Sequence, residues 1–266
     1  MHGLFFDRDH DEMVVPVALA GGVLVFRGGA SGTEVPLRTL QGPNTQILRP
    51  DTLTVDVPHN ELIVDSGADS ILVFDRTAQG DAAPLRVIKG GKTGIANIYG
   101  ITVDPVRNLI FIANRVGEEN GRDTSDAILV FNRTDHGDVA PRARIGGPKT
   151  GMLKIRQIQA DPERGHLFVT VKNNRENYDP AAVNPSPWNP DRTGFIGVWN
   201  ATDNGDVPPK AVIKGPATGL VWPAGVAINP ATAEVFTIDS VSNSLFTFSL
   251  PELFSPPSRA TSPSGR

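Results

Sequence analysis

Residues that could take part in catalysis or bind a metal are scattered along this chain of 266 residues. The chain has no cysteine, and two of its five histidines, His10 and His59, each follow an aspartate by three residues. Both lie in predicted turns, where we expect exposed side chains rather than metal ligands. The sequence contains no Gly-x-Ser-x-Gly elbow, no Walker loop and no His-Glu-x-x-His zinc motif. It therefore predicts no metal site and leaves any cofactor unknown.

A second set of candidates is polar or aromatic and lies beside short apolar runs. Amide and guanidinium groups donate hydrogen bonds, and large aromatic side chains are common in recognition sites, so these residue types suit a small polar ligand, a sugar or a peptide. The set comprises Asn97, Tyr99, Asn114, Arg156, Gln157, Asn173, Arg175, Tyr178, Trp188, Trp222 and Asp239. The elements that carry these residues decide whether they meet.

A repeat of fixed spacing identifies those elements. Each copy has an aromatic residue at the end of an apolar run, then a glycine, a proline, a second glycine, a threonine and an Asp or Asn. The aromatic residues are Phe26, Phe74, Phe131 and Trp199. The distance from the aromatic residue to the Asp or Asn is 30 positions in all four copies, as from Phe26 to Asp56 in the first. The distance from the Asp or Asn to the next aromatic residue varies between 18 and 38 positions. Self-similarity of this kind indicates a solenoid, a propeller or an array.

Each unit contains four short runs rich in Val, Ile and Phe and bounded by turn residues, which is the pattern of β-strands. In the second unit these runs are 52–56, 61–65, 70–74 and 84–89, and we name them strands a to d. Four strands per unit, repeated around an axis, predict an all-β chain folded as a β-propeller with five blades of four antiparallel strands.

The last blade departs from this pattern, because nothing after Leu250 repeats strand d. It has either three strands or an irregular fourth at 251–254. A third alternative is an unclosed ring in a chain that is part of a longer protein.

Composition limits the class of partner. The net charge is −4 with acidic and basic residues interspersed, so we do not expect nucleic acid as a partner. No apolar run approaches the length of a membrane span, and no leader is visible at the start, which leaves cytoplasm and export both open. We expect residues 1–254 to form one propeller domain and residues 255–266, rich in Pro and Ser, to be a disordered tail.

The segments 63–74 and 236–248 resemble the NHL repeat. Each has an apolar strand, an aspartate (Asp65 or Asp239), a short polar turn and a second apolar strand that ends in phenylalanine. Similar segments run along nearly the whole chain. The resemblance implies a propeller fold and a largely structural role for the two aspartates, and it implies no particular function.

Two neighbouring blades carry long insertions between strands b and c, at 115–126 and 173–194. The second contains four prolines together with Tyr178 and Trp188, and long loops without a strand pattern are usually functional or disordered. In a propeller these loops share one face with the loops that lead into strand a. We therefore predict a non-catalytic binding or scaffolding propeller that takes a small polar ligand, a sugar, or a peptide or protein partner on this face.

The alternative function is that of a hydrolase or lyase similar to propellers of the lactonase type, which hold a calcium ion at the channel mouth with Glu, Asn and Asp. The candidate groups are Asp51, Asn97, Asn114, Asn173 and Asp239. Asp51 is the one carboxylate among the residues that open strand a, and an arginine lies at the same position of another blade. That combination does not make a site for a divalent ion.

Overall fold

The protein is represented by a computed structural model that describes residues 3–67, 69–116, 118–119, 122–123, 126–172 and 193–255. Four of the candidate residues (Asn173, Arg175, Tyr178 and Trp188) and the predicted tail from 256 onward lie outside the described residues.

Five antiparallel sheets follow one another along the chain as the blades of a β-propeller, which confirms the predicted fold class. Blades 1 and 2 consist of β1 (Phe5–Asp7), β2 (Glu12–Val17), β3 (Gly22–Arg27) and β4 (Arg38–Gln41), then β5 (Leu53–Asp56), β6 (Glu61–Asp65), β7 (Ser70–Asp75) and β8 (Arg86–Lys89). Blade 3 consists of β9 (Asn97–Asp104), β10 (Leu109–Arg115), β13 (Ala127–Asn132) and β14 (Ala143–Ile145), with the short pair β11 (Glu118–Glu119) and β12 (Arg122–Asp123) in its insertion. Blades 4 and 5 consist of β15 (Ile155–Asp161), β16 (His166–Val171), β17 (Phe195–Asn200) and β18 (Ala211–Ile213), then β19 (Pro223–Asn229), β20 (Glu234–Asp239) and β21 (Ser244–Ser249). Single 3-10 turns follow strand d at Pro43–Thr45, Gly91–Thr93, Pro148–Thr150 and Pro216–Thr218.

Strand d starts two residues later than predicted in each of the first four blades. The repeat proline was expected to open it, but the ladder starts at Arg38 in blade 1, two residues after Pro36. Proline has no N–H to donate, so the residue that follows it makes the first bond, as Leu37 does to the Val25 carbonyl (2.7 Å). Strand d is the outer edge of its sheet, where such a proline is tolerated.

The repeat glycines lie where neighbouring blades contact each other. Gly80, in the hairpin between strands c and d of blade 2, has the positive φ that the spacing predicted (62°) and exchanges two hydrogen bonds with strand d of blade 1. The second glycine, Gly42, sits where a Cβ would come within 2.4 Å of Asp81 of the next blade. The Asp81 carboxylate accepts the amide hydrogen of Asn44 (2.6 Å). The same arrangement recurs between blades 2 and 3 and between blades 3 and 4.

Histidine acts structurally in the turn between strands a and b. The buried carboxylates of Asp7 and Asp56 accept the backbone amide three residues on and lie 2.8 and 2.9 Å from Nδ1 of His10 and His59. Arginines take the place of these histidines in blades 3 and 4. Both histidines are partly exposed, as predicted for turn residues.

Buried apolar clusters join each blade to the next, from blade 1 to blade 5. Three of the repeat aromatic residues, Phe74, Phe131 and Trp199, lie in them and are 0% exposed, whereas Phe26 of blade 1 is only partly buried. No such cluster of described residues joins blade 5 to blade 1, and Ile238 and Leu4, which line one cavity there, are 55% and 56% exposed. The apolar core is therefore continuous around the ring except at this one junction of the described blades.

Blade 5 has three strands within the described residues, which is one of the three alternatives that the sequence left open. The chain then turns into the short helix α1 (Pro251–Phe254), which packs back onto blade 4. The ring of Phe254 stacks on that of Phe168, with 5.6 Å between the ring centroids. The backbone carbonyl of Phe254 accepts a hydrogen bond from Nε of Arg164 (2.7 Å). No helix in the described part of the chain is long and apolar enough to cross a membrane.

Candidate functional site

Two repeat positions bring charged and aromatic side chains to the mouth of the channel. The first opens strand a, five residues before its terminal aspartate, and holds Asp51, Tyr99 and Arg156 in successive blades. The second lies eleven residues after that aspartate in blades 3 and 4 and holds Arg115, the last residue of strand b in blade 3, and Lys172, which directly follows strand b in blade 4. Residues far apart in sequence meet because strands a and b of neighbouring blades converge on one end of the channel.

Tyr99 lies between two guanidinium groups. Its ring centroid is 5.3 Å from Cζ of Arg115 and 5.1 Å from Cζ of Arg156, both within the range of a cation–π contact. Nη1 of Arg115 also donates a hydrogen bond to the Tyr99 hydroxyl (3.3 Å), and the Gln157 amide donates one to the Tyr99 carbonyl (2.9 Å). The tyrosine ring therefore holds the two arginines close to each other.

Lys172 and Trp222 form a second cation–aromatic pair, with Nζ 4.9 Å from the ring centroid. Burial, and then the positive charges of Arg156, Arg115 and Lys154, lower the pKa of Lys172 to about 8, while Asp239 acts in the opposite direction. The ammonium group is thus held among three other cations.

The surroundings of Arg156 also disfavour its charged form. Burial and the nearby charge of Arg115 lower the pKa of its guanidinium, and Tyr99 and Asp51 oppose that shift. Four cationic side chains (Arg115, Lys154, Arg156 and Lys172) thus lie near one another at the mouth, beside the carboxylates of Asp51 and Asp239, in a protein whose net charge is −4. Such a cluster of cations attracts anions.

A polar cavity of about 310 Å³ adjoins this cluster on the side of blades 1 to 3. Asp51, Arg49, Asn97 and Tyr99 line it, together with the buried Asp65. The Asn97 amide donates to the carbonyl of Arg115 (3.1 Å) and so fixes the start of the blade 3 insertion.

Two candidate side chains, the carboxamide of Asn114 and the carboxylate of Asp239, hold loops in place. The Asn114 side chain is 2% exposed, accepts the amide hydrogen of Ala96 (2.8 Å) and donates to the Gly94 carbonyl (3.2 Å). Asp239 accepts four backbone amides, among them that of Trp222 (2.6 Å). Both groups anchor the loop that leads into strand a of their own blade.

Asp65 does the same in blade 2, where it accepts the amides of Asp51 (2.7 Å), Thr52 (2.9 Å) and Gly67 (3.1 Å). Burial raises the pKa of this carboxyl to about 6 in spite of these hydrogen bonds. The contacts of Asp65 and Asp239 agree with the structural role that the NHL resemblance implies.

Sequence reasoning chose Tyr99, Arg156, Gln157 and Trp222, which the structure brings together, but it left Lys172 out of the site. A signal was present, because Lys172 and Arg115 occupy the same repeat position. The position lies at the end of strand b, and only the arrangement of neighbouring blades brings its side chains to the mouth.

The described residues contain no group of three or more His, Cys, Asp or Glu side chains that could hold a metal ion. Neither protein-family models nor curated proteins provide a match to this chain. The function must therefore be argued from the geometry of the mouth.

Proposed function

We propose that this propeller is a non-catalytic binding protein that takes a small acidic ligand at the channel mouth, on the face that carries the insertions. The observation that carries the proposal is the cluster of Arg115, Arg156 and Lys172 beside Tyr99 and Trp222. These cations repel one another, and a bound anion would relieve that repulsion. A hydrogen bond between charged groups is about twice as strong as a neutral one.

Each part of the cluster has a role in this proposal. An arginine fork suits the two oxygens of a carboxylate, and lysine supplies a point charge. The two aromatic rings hold the cations in position, so that little side-chain entropy remains to be lost when an anion binds.

The lactonase-like alternative receives less support. It needs free oxygen ligands at the mouth, but Asn114 and Asp239 are engaged by main-chain groups. A divalent cation would also meet the charges of Arg156 and Lys172. Ligand binding without metal chemistry is therefore the better account of this face.

Calorimetry at low salt tests the proposal with three pairs of probes: hexanoate and hexan-1-ol, benzoate and benzyl alcohol, glucuronate and glucose. We expect at least one acid to bind about tenfold or more tightly than its neutral partner, and Arg156→Gln to weaken it by about ten- to a hundredfold, since hydrogen bonds to charged groups contribute ~1.5–3 kcal/mol.

Arg8→Gln is the matched control, because Arg8 is an exposed residue of the turn between strands a and b, on the opposite face. It should bind the acid as the wild type does. Equal binding of acids and neutral partners, or equal loss in the two variants, would refute the proposal.

A further inference from the structure

A cavity of about 430 Å³ occupies the central channel, and all five blades line it. Its wall is mainly apolar, with Leu4, Leu53, Ile101, Ile158 and Val226 contributed by successive blades. Concave sites of this size, with apolar walls and few polar groups, are typical for small organic ligands.

Blade 5 presents an open apolar surface to this cavity. Leu245 is 68% exposed, and its cross-strand partner Ile238 is 55% exposed. The residues at the repeat position of Leu245 in the other blades are all 0% exposed, because the next blade covers them: Val23, Ile71, Ile128 and Ile196. Leu4 of blade 1, 56% exposed, lines the same cavity. Exposed apolar surface of this kind marks a ligand-binding groove or an interface with another protein, and here it adjoins a cavity.

Strand β15 connects the cation cluster to the cavity. Arg156 lies at the mouth, and the next three residues, Gln157 to Gln159, line the cavity. At about 3.3 Å per residue, Arg156 and Gln159 are roughly 10 Å apart along the strand. An aliphatic chain of medium length spans that distance.

We infer that the ligand is an organic acid with an apolar body, whose acid group binds the cation cluster and whose aliphatic or aryl part lies against the channel wall. This inference rests on the proposed function, because the acid group occupies the same site. The inference adds the chemical class of the ligand. A hydrophilic acid would contact only the cation cluster, whereas an amphipathic acid would also cover Leu245 and Ile238.

The test is a series of straight-chain carboxylates from butanoate to octanoate, measured by calorimetry on the full chain. If the chain lies against the wall, affinity should rise about two- to fourfold per methylene, the latter for complete burial. Octan-1-ol should bind more weakly than octanoate, because it lacks the charge.

Two variants separate the head of the ligand from its body. Leu245→Asn should flatten the dependence on chain length and leave butanoate binding unchanged, and the exposure of Leu245 makes the substitution compatible with folding. Arg156→Gln should weaken every acid by a similar factor and leave the dependence on chain length as it is. Val212→Asn, at an exposed residue of β18, is the matched control and should change neither.

The outcomes distinguish the two proposals. If no acid binds, both fail; if acids bind without dependence on chain length, only the apolar body is refuted. Sedimentation tests another occupant of the wall. A dimer that Leu245→Asn dissociates would show that a second copy covers this surface and would overturn the inference.

Discussion

The ion cluster around Glu61 offers a test of how the blades are held together. The Glu61 carboxylate accepts two hydrogen bonds from Arg86 of its own blade (2.7 Å each) and lies 3.0 Å from Nη1 of Arg133 in the next blade. The three side chains are only 9%, 17% and 16% exposed. Glu61→Gln keeps the shape but leaves two partly buried guanidinium groups without their shared counter-charge.

The size of the effect follows from that burial. Breaking a buried ion pair costs ~3–5 kcal/mol, and because glutamine still accepts one hydrogen bond, we expect a loss of about 2–3 kcal/mol for Glu61→Gln. For a chain of this size that corresponds to a lower melting temperature by about 5–10 °C. Urea denaturation and thermal melting followed by circular dichroism measure both quantities.

The Arg27–Glu34 pair provides the control, since it has similar geometry (3.0 Å) but side chains that are 51% and 33% exposed. Glu34→Gln should leave the unfolding midpoint unchanged, because exposed pairs contribute little. Equal midpoints for the two variants would refute the idea that burial gives the Glu61 cluster its strength.

Acid pH gives a second readout for Glu61. Burial by itself would raise the pKa of Glu61, but the hydrogen bonds from Arg86 and Arg133 outweigh it and hold that pKa below its ordinary value. A carboxyl group of this kind stabilises the fold above its unfolded pKa of about 4.3, and that contribution is lost as the pH falls through the lower folded pKa. The difference between wild type and Glu61→Gln should therefore be constant from pH 6 to 8 and shrink in stronger acid.

Three further predictions concern single residues. Asp65→Ala should destabilise the protein by ~1–3 kcal/mol in urea denaturation, because three backbone amides lose their acceptor. Asp65→Asn should cost clearly less, since the Asn114 side chain accepts an amide of the corresponding loop in blade 3. Equal losses for the two variants would contradict this. Trp199→Ala should cost ~3–5 kcal/mol, and Trp199→Phe much less, because phenylalanine fills that position in blades 2 and 3; a Trp199→Phe variant as unstable as Trp199→Ala would be evidence against that. The Lys172 amine, followed by NMR, should titrate near pH 8, and acid binding should weaken as the pH rises through that value, because the amine loses its charge; a pKa near 10 would exclude the proposed crowding of cations.

The spacing of a few residue types was sufficient to predict the blades. Glycine at position 80 permits a positive φ, and proline at position 36 ends hydrogen-bond donation at a sheet edge. These are local requirements of the backbone, so the sequence shows them directly. Strand d was placed two residues early because the ladder starts after the proline, which only the pairing of strands decides.

The sequence by itself determined the all-β repeat and the approximate bounds of its blades. Tertiary structure decided which side chains share an environment. Lys172 and Arg115 are 57 positions apart, and their charges act on each other only because neighbouring blades converge at the channel mouth. In the same way Leu245 and Ile71 occupy one repeat position and are both aliphatic, yet one is 68% exposed and the other 0%. Their burial depends on whether another blade lies against them, and no local pattern carries that information.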